Sequence, residues 1–321
     1  SLAKSLIDSG NKVWGIDNLN NFYDINLKKE RLKRLRNKNF TFQKIDLLDA
    51  KSLKNFTKAL RIDVTIHLAA QAGVRFSEIN SKHCLDINIT GTYNLLECLK
   101  LKKIKHFIIA SSSSVYGNLN KKNFKEIDNT DHPVSLYASS KKSVEILTHY
   151  YSKNYNLKTS VLRFFTVYGP WGRPDMALFK FTKNILKKKE IELYNFGNHK
   201  RDFTYVEDVA DIVSKLIKKP PKFLTKRPKK INFSPNKSNA PFRILNIGQS
   251  NQTTLLEYVN EIEKNLGLKA KKKLLPLQTG DIFETKSNIQ ELKKIIKIKK
   301  FVPIKKGISL FINWYRKYYN L

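Results

Sequence analysis

The chain has 321 residues and a mass of 37.3 kDa, too long for a peptide or minimal binding module and long enough for one large α/β domain or a cofactor domain with a smaller lobe. With 41% hydrophobic and 27% charged residues it carries enough apolar material for a packed core, which excludes the disordered class. The net charge of +34 raises nucleic acid, an anionic membrane or an acidic small molecule as partners, but 50 of the 61 basic residues are lysines scattered over nearly every helical pattern, as on solvated faces and not in one electrostatic footprint.

Leu2, Leu6 and Ile7 set a helical stripe that ends at Gly10, and residues 12–17 (K-V-W-G-I-D) then read as a buried strand closing on a carboxylate. The pattern repeats as a Lys/Arg-rich helix over 25–36, a strand over 40–45 closing on Asp46, a helix over 50–60, a strand over 63–68, a helix over 82–101 and a strand over 106–110. Such alternation requires parallel pairing with right-handed crossovers, so it predicts a doubly wound sheet. A long helix over 135–155 and a strand over 159–164 continue the series. Beyond about residue 170 the rhythm loosens into a helix from Met176, a short strand over 191–194 and a helix over 206–218. Residues 218–237 are basic, Pro-interrupted and aperiodic, and read as an exposed loop with a nucleic-acid patch as the alternative. A strand over 243–247, a helix over 254–266, a strand over 271–275 and an amphipathic helix over 304–318 read as a smaller second lobe. The expected division is therefore 1–170 and 171–321, some segments of the second part returning to the first.

The only cysteines are Cys84 and Cys98, and neither has a metal-ligand spacing, so no disulfide framework or metal site is expected and a reducing cytoplasm is the default. No run of about 18 apolar residues exists to span a membrane. The chain opens at Ser1 without Met, already inside a helical pattern, which leaves an upstream anchor open.

Tyr137-Ala138-Ser139-Ser140-Lys141 lies on the first turns of the long helix. Four residues apart on a helix, phenol and ammonium share a face, and a neighbouring cation favours the phenolate, so the pair predicts a lowered tyrosine pKa and a general base usable near neutrality. About 25 residues upstream, Ser111-Ser112-Ser113-Ser114-Val115-Tyr116-Gly117 places four hydroxyls at the carboxyl end of a parallel strand, where open α/β sheets bind ligands. Together these residues resemble the Ser/Thr-Tyr-Lys constellation of the extended short-chain dehydrogenase/reductase (NAD-dependent epimerase/dehydratase) family.

The resemblance extends over essentially the whole chain: G-I-D-N-L-N-N-F-Y-D from Gly15, H-L-A-A-Q-A-G-V-R from His67, N-I-T-G-T from Asn88, K-R-D-F-T-Y-V-E-D-V from Lys200 and L-P-L-Q-T-G-D from Leu275. The run R-F-F-T-V-Y-G-P-W-G-R-P-D-M from Arg163 is similar to the UDP-glucuronate 4-epimerase subgroup. The family implies a Rossmann-like cofactor domain with a smaller α/β substrate lobe, NAD as cofactor, a UDP-sugar acid as substrate and a homodimer built on the 82–101 and 135–155 helices. By resemblance Tyr137, Lys141 and Ser112 are catalytic, while Asp17, Asn18, Asp46, Leu47, Leu68, Ala69, Ala70, Asn88 and Ser111, with Tyr137 and Lys141, bind the cofactor. Asp17 would accept hydrogen bonds from the adenosine ribose and repel a 2′-phosphate, favouring NAD over NADP. Arg173 and Arg201 suit the diphosphate and carboxylate of the substrate, and Ser113, Ser114 and Thr166 would hold the sugar carboxylate. The implied activity is epimerisation at C4′ through a 4-keto sugar, feeding surface polysaccharide synthesis. Another nucleotide-sugar epimerase, dehydratase or decarboxylase, or a non-catalytic RNA-binding relative, are the alternatives.

One departure stands out. The opening strand and glycine-rich turn that hold a pyrophosphate are not in the sequence, which begins where the helix after that turn is expected, so about ten further residues are expected upstream. Without them the expectation is weak NAD retention and interrupted pairing at the sheet centre.

Overall fold

The computed structural model describes residues 1–119, 121, 123–222, 234–277 and 283–321. The chain runs α1 (Leu2–Asp8), β1 (Val13–Asp17), α2 (Ile25–Lys33), β2 (Phe40–Lys44), α3 (Ala50–Lys58), β3 (Val64–His67), α4 (Val74–Ile79), α5 (Ser81–Leu85), α6 (Gly91–Leu99) and β4 (His106–Ser112). It continues through α7 (Leu136–Tyr155), β5 (Thr159–Phe164), β6 (Thr166–Tyr168), α8 (Ala177–Leu186), β7 (Glu190–Leu193), β8 (Lys200–Arg201), β9 (Phe203–Tyr205) and α9 (Val206–Ile217). The last elements are β10 (Phe242–Ile247), β11 (Thr253–Thr254), α10 (Leu255–Leu266), β12 (Lys271–Leu274), α11 (Gln290–Lys293) and α12 (Ile304–Tyr319).

Local chemistry sets the helix starts. Asp24, Asp49 and Ser135 accept from backbone N–H groups in the first turns of α2, α3 and α7, and Thr254 with Glu257 closes a reciprocal capping box on α10. Asn156 at the end of α7 and Gly267 at the end of α10 take the left-handed conformation that stops a helix.

A four-stranded parallel sheet in the order β10-β5-β4-β3 forms the spine, and β1 and β2 form a separate parallel pair. No described strand joins β1 to β3. Phe107 and Ile109 of β4, Val161 of β5 and Ile244 of β10 face a core shared with Leu53, Leu95, Leu96, Leu99 and Val144. The alternate residues Ile108, Leu162 and Leu245 face a second core with Ile212, Leu216 and Leu292. A sheet buried on both faces is what parallel pairing with helical crossovers requires. Truncating a fully buried member such as Leu96 or Leu99 to Ala would cost about 2–5 kcal/mol.

The structure corrects the placement of the 243–247 strand: β10 joins the main sheet beside β5, with Asn246 opposite Arg163, instead of lying in the second lobe. Its apolar residues face both cores, so this edge strand is covered on both faces. The helix read over 82–101 is α5, a π-helical turn at Asp86–Thr90, and α6. The third core belongs to the later chain, where α8, α10 and α12 bury Phe179, Tyr258, Ile262, Phe311 and Tyr315. Three short strand pairs, β6 with β9, β8 with β11 and β7 with β12, accompany these helices; of these, β6, β8, β9 and β11 are too short to leave a period in the sequence. Residues 223–233 of the basic stretch and residues 278–281 of the L-P-L-Q-T-G-D match lie outside the described residues.

Candidate active site

A cleft of about 1980 Å³ opens at the carboxyl ends of β3, β4 and β5. A pocket for one small ligand usually holds about 300–1,000 Å³, so this one has room for two. Of the residues singled out in the sequence, Leu68, Ala70, Ser111, Ser112, Ser113, Ser114, Tyr137, Lys141, Thr166, Arg173 and Arg201 line it.

The hydroxyl wall comes from β4 and the turn behind it. Ser112 ends the strand, and its Oγ accepts from Ser114 N–H at 3.2 Å and Ser114 Oγ at 2.7 Å. With its acceptor side engaged, the Ser112 O–H remains a donor for a substrate oxygen.

Tyr137 sits in the first turn of α7, where Ser135 caps the helix at 3.1 Å. Helix α4 fixes that turn from outside, with Ser77 Oγ accepting from Tyr137 N–H and Glu78 Oε1 from Leu136 N–H, both at 3.1 Å. One turn on, buried Lys141 donates to the Ala110 carbonyl at 3.0 Å. The lysine nitrogen lies 6.0 Å from the Tyr137 ring centroid. Burial pushes the Tyr137 hydroxyl above the usual tyrosine value, and Arg173 and Ser112 offset only part of that. This corrects the expected direction: the ammonium is aimed at the strand, and desolvation sets the state of the phenol. Burial also pushes Lys141 down, to about 8. His67, at the end of β3, bonds Thr92 at 3.0 Å and is held neutral by burial, its pKa lowered to about 3.

The remaining sequence-derived residues lie deeper or farther along the sheet edge. Asp17 accepts from Leu19 N–H at 2.7 Å and faces Lys28 at 3.8 Å, while Asn18 donates to Asp46 at 2.8 Å, tying the ends of β1 and β2 together. Ala69 lies between Leu68 and Ala70 in the exposed segment after β3. Leu47 packs into the core against α6 and offers its carbonyl to Asn94 at 2.9 Å. Asn88 is fully enclosed in the π-helical turn: its Oδ1 accepts from Gln71 N–H at 2.8 Å, and its Nδ2 donates to Gln71 O at 3.1 Å and Ser140 Oγ at 2.9 Å. Its side chain thus fastens the segment after β3 to α7.

Recognition groups come from the other lobe. Thr166 N–H bonds the Asp202 carbonyl at 3.1 Å, which ties the hydroxyl of β6 to the strand carrying Arg201. Arg201 donates to the carbonyls of Lys200 and Phe283 at 3.1 and 3.0 Å. Arg173 pairs with Asp175 at 3.1 Å and acts electrostatically on Tyr137. Its loop starts at Gly169, whose φ of 140° and close approach to Val206 admit no side chain. Trp171 then holds a φ of 63°, with Arg34 over its ring at 4.5 Å and Trp314 tilted against it at 5.1 Å, and Arg31 donates to the Gly172 carbonyl at 2.9 Å.

Sequence reasoning passed over Glu145 and Arg163, a fully buried ion pair beneath the catalytic wall at 2.8 Å. The only signal was a carboxylate four residues after Lys141, which is indistinguishable in sequence from a surface helix pair. Among the described residues no group of three or more His, Cys, Asp or Glu is placed to hold a metal ion, and no helix is long and apolar enough to cross a membrane.

A model of the family described as NAD dependent epimerase/dehydratase matches residues 1–232. The chain is 46% identical to Protein CapI of Staphylococcus aureus, over 99% of this chain and 95% of that one. It is 39% identical to a probable UDP-glucuronate 4-epimerase of Rhizobium meliloti (strain 1021), over 99% and 94% of the two chains. Among solved structures, a UDP-glucuronic acid 4-epimerase from Bacillus cereus in complex with UDP-glucuronic acid and NAD superposes with a TM-score of 0.85 at 30% identity, covering 99% of this chain and 95% of that one.

Proposed function

The chain belongs to the NAD dependent epimerase/dehydratase family, and from that premise we propose that it is an NAD-dependent isomerase that inverts C4′ of a UDP-hexuronic acid, interconverting UDP-glucuronate and UDP-galacturonate. The observation that carries this reading is one cleft lined by Ser112, Tyr137 and Lys141 together with Thr166, Arg173 and Arg201. A proton-transfer set and an anion-recognition set share it. We read residues 1–170 as the cofactor domain and 171–321 as mainly the substrate lobe, with α9, β10 and α11 returning to the sheet.

The residues present fit the adenosine and nicotinamide ribose ends of a dinucleotide. Asp17 closes β1 with a half-exposed carboxylate, the small residues after β3 leave room for close approach, and Lys141 uses one of its three donors on Ala110. Asp17, Asn18 and Asp46 would hold the adenosine end, and Leu68, Ala69, Ala70, Ser111 and Lys141 would contact the rest. When bound, NAD⁺ supplies reversible hydride acceptance at the sugar carbon.

Tyr137 takes the 4′-hydroxyl proton as the 4-keto sugar forms and returns it after the sugar has turned. Ser112 donates to the reacting oxygen and orients it. Lys141 places a positive charge on the same helix face. Ser113, Ser114 and Thr166 hold the carboxylate, which keeps the intermediate β-keto acid out of the alignment that loses CO₂. Arg173 and Arg201 take the diphosphate and carboxylate charges. Because the free phenol is raised above the usual tyrosine value and Lys141 is lowered to about 8, kcat/KM rises with pH through neutrality, levels off above about 8 where loss of the Lys141 proton cancels the gain in phenolate, and falls only above the raised tyrosine value. We also place the enzyme in the cytoplasm, since two free cysteines suit a reducing compartment, and read it as a homodimer through the α6 and α7 faces, where Tyr93, Ile146 and Tyr150 are exposed.

The test is incubation of the protein with UDP-glucuronate and NAD⁺, with products resolved by chromatography. The expected result is UDP-galacturonate, abolished by Tyr137→Phe. A pentose product, or turnover of neutral UDP-sugars alone, would overturn the assignment.

A further inference from the structure

The polar cluster beneath the catalytic wall does more than fill the core. Glu145 lies one turn beyond Lys141 on α7, so Tyr137, Lys141 and Glu145 form three rungs on one helix face. The Glu145 carboxylate binds two neighbouring strands at once: Oε1 accepts from Ser111 Oγ at 2.5 Å and Arg163 Nε at 2.9 Å, and Oε2 accepts from the Arg163 guanidinium at 2.8 Å. Ser111 and Arg163 stand opposite each other in the β4–β5 pairing, directly before the catalytic serine on β4. The middle rung, Lys141, reaches the carbonyl of the preceding residue, Ala110, at 3.0 Å.

Other groups lock the guanidinium. Tyr116 lies under it with its ring centroid 4.8 Å from the central carbon, and the Glu126 carbonyl accepts from it at 3.3 Å. Tyr116 donates to Asn246 at 2.7 Å, and Glu126 accepts from Asn246 N–H at 2.9 Å, so the network extends to β10. Glu145, Arg163 and Ser111 are each less than 4% exposed. Such a pair gains little net stability over an apolar pair of the same volume, because desolvation offsets its attraction. What it offers in its place is a single geometry.

We propose that Glu145 and Arg163 are positioning residues, which set the height of α7 against β4 and so align Tyr137 and Lys141 with Ser112. This rests on the epimerase reading and deepens it. Burial of the pair works against the Arg163 charge, but Glu145 outweighs it and holds the guanidinium charged, while the same carboxylate opposes the desolvation of Lys141.

The experiment compares native protein, the double variant Glu145→Leu/Arg163→Met and the single variant Ser111→Ala. Measured for each are melting temperature, kcat and KM for UDP-glucuronate across pH, and the Lys141 titration by NMR in protein free of sugar and NAD. The double variant is expected to melt close to native, to lose about a hundredfold in kcat with KM nearly unchanged, and to shift the point near pH 8 at which its pH profile levels off. A folded double variant with native kcat and native pH profile overturns the proposal. Should the double variant fail to fold, Ser111→Ala decides: a lowered kcat with a shifted profile supports the proposal, and a native one overturns it. If the native protein turns over no sugar, the epimerase reading falls by itself and the Lys141 titration decides the positioning role. A titration moved by the variants supports that role, and an unmoved one overturns it.

Discussion

The two sets of residues around the cleft are built differently. Ser111, Ser112, Tyr137 and Lys141 stand on a strand paired on both sides and on a long helix capped by Ser135, backed by the Glu145–Arg163 network. Thr166, Arg173 and Arg201 stand on strands of two or three residues and on a loop held by the contacts of Trp171 with Arg34 and Trp314. The first arrangement fixes atoms that must meet within a hydrogen-bond length, whereas the second presents charge to a ligand whose anionic groups tolerate some movement. Loss on the rigid side should therefore appear in kcat, and loss on the recognition side in KM.

Substitutions on each side test this contrast. Lys141→Met is expected to reduce kcat by about 10²–10⁴-fold while KM for UDP-glucuronate changes little, as steady-state kinetics would read. A loss confined to KM would mean that the helix serves binding alone. On the recognition side, Arg173→Ala removes charge-assisted hydrogen bonds, each contributing about 1.5–3 kcal/mol, so KM should rise by about 10- to 100-fold with kcat much less affected. Smaller still, Thr166→Val removes one of the three hydroxyl donors to the carboxylate while Ser113 and Ser114 remain, and should narrow the preference for UDP-glucuronate over UDP-glucose by about 2- to 10-fold, read from the ratio of kcat/KM values.

The smallest effect is on stability. Lys141 titrates lower in the folded protein, at about 8, than in the unfolded chain, so between those values the unfolded state binds more protons and stability rises with pH. The melting temperature of Lys141→Met minus that of native protein should be largest below pH 8 and shrink as pH rises toward the ordinary lysine value of about 10.4. His67 and His106 act at the acid end, being buried neutral with pKa values near 3 and 4. Their stabilisation is present above the unfolded histidine value of about 6.5 and is lost as pH falls below it. His67→Gln should accordingly flatten the acid limb of the melting curve without moving the alkaline one.

Much of this was legible in the residues. Apolar period, the glycine after the first helix and carboxylates at strand ends placed the longer strands and helices to within a few residues, because these signals act over one turn or one strand and need no partner. The separated motifs brought Ser112, Tyr137, Lys141, Thr166, Arg173 and Arg201 to one cleft, since the crossover rule puts every parallel strand's carboxyl end on the same edge. Other features needed the assembled fold. An apolar strand such as β10 suits either lobe until both faces are covered, and Glu145 resembles a surface carboxylate until Arg163 arrives from a neighbouring strand. The raised Tyr137 phenol was also beyond reach: its spacing from Lys141 is local and readable, whereas the desolvation that raises it is set by everything packed around the cleft.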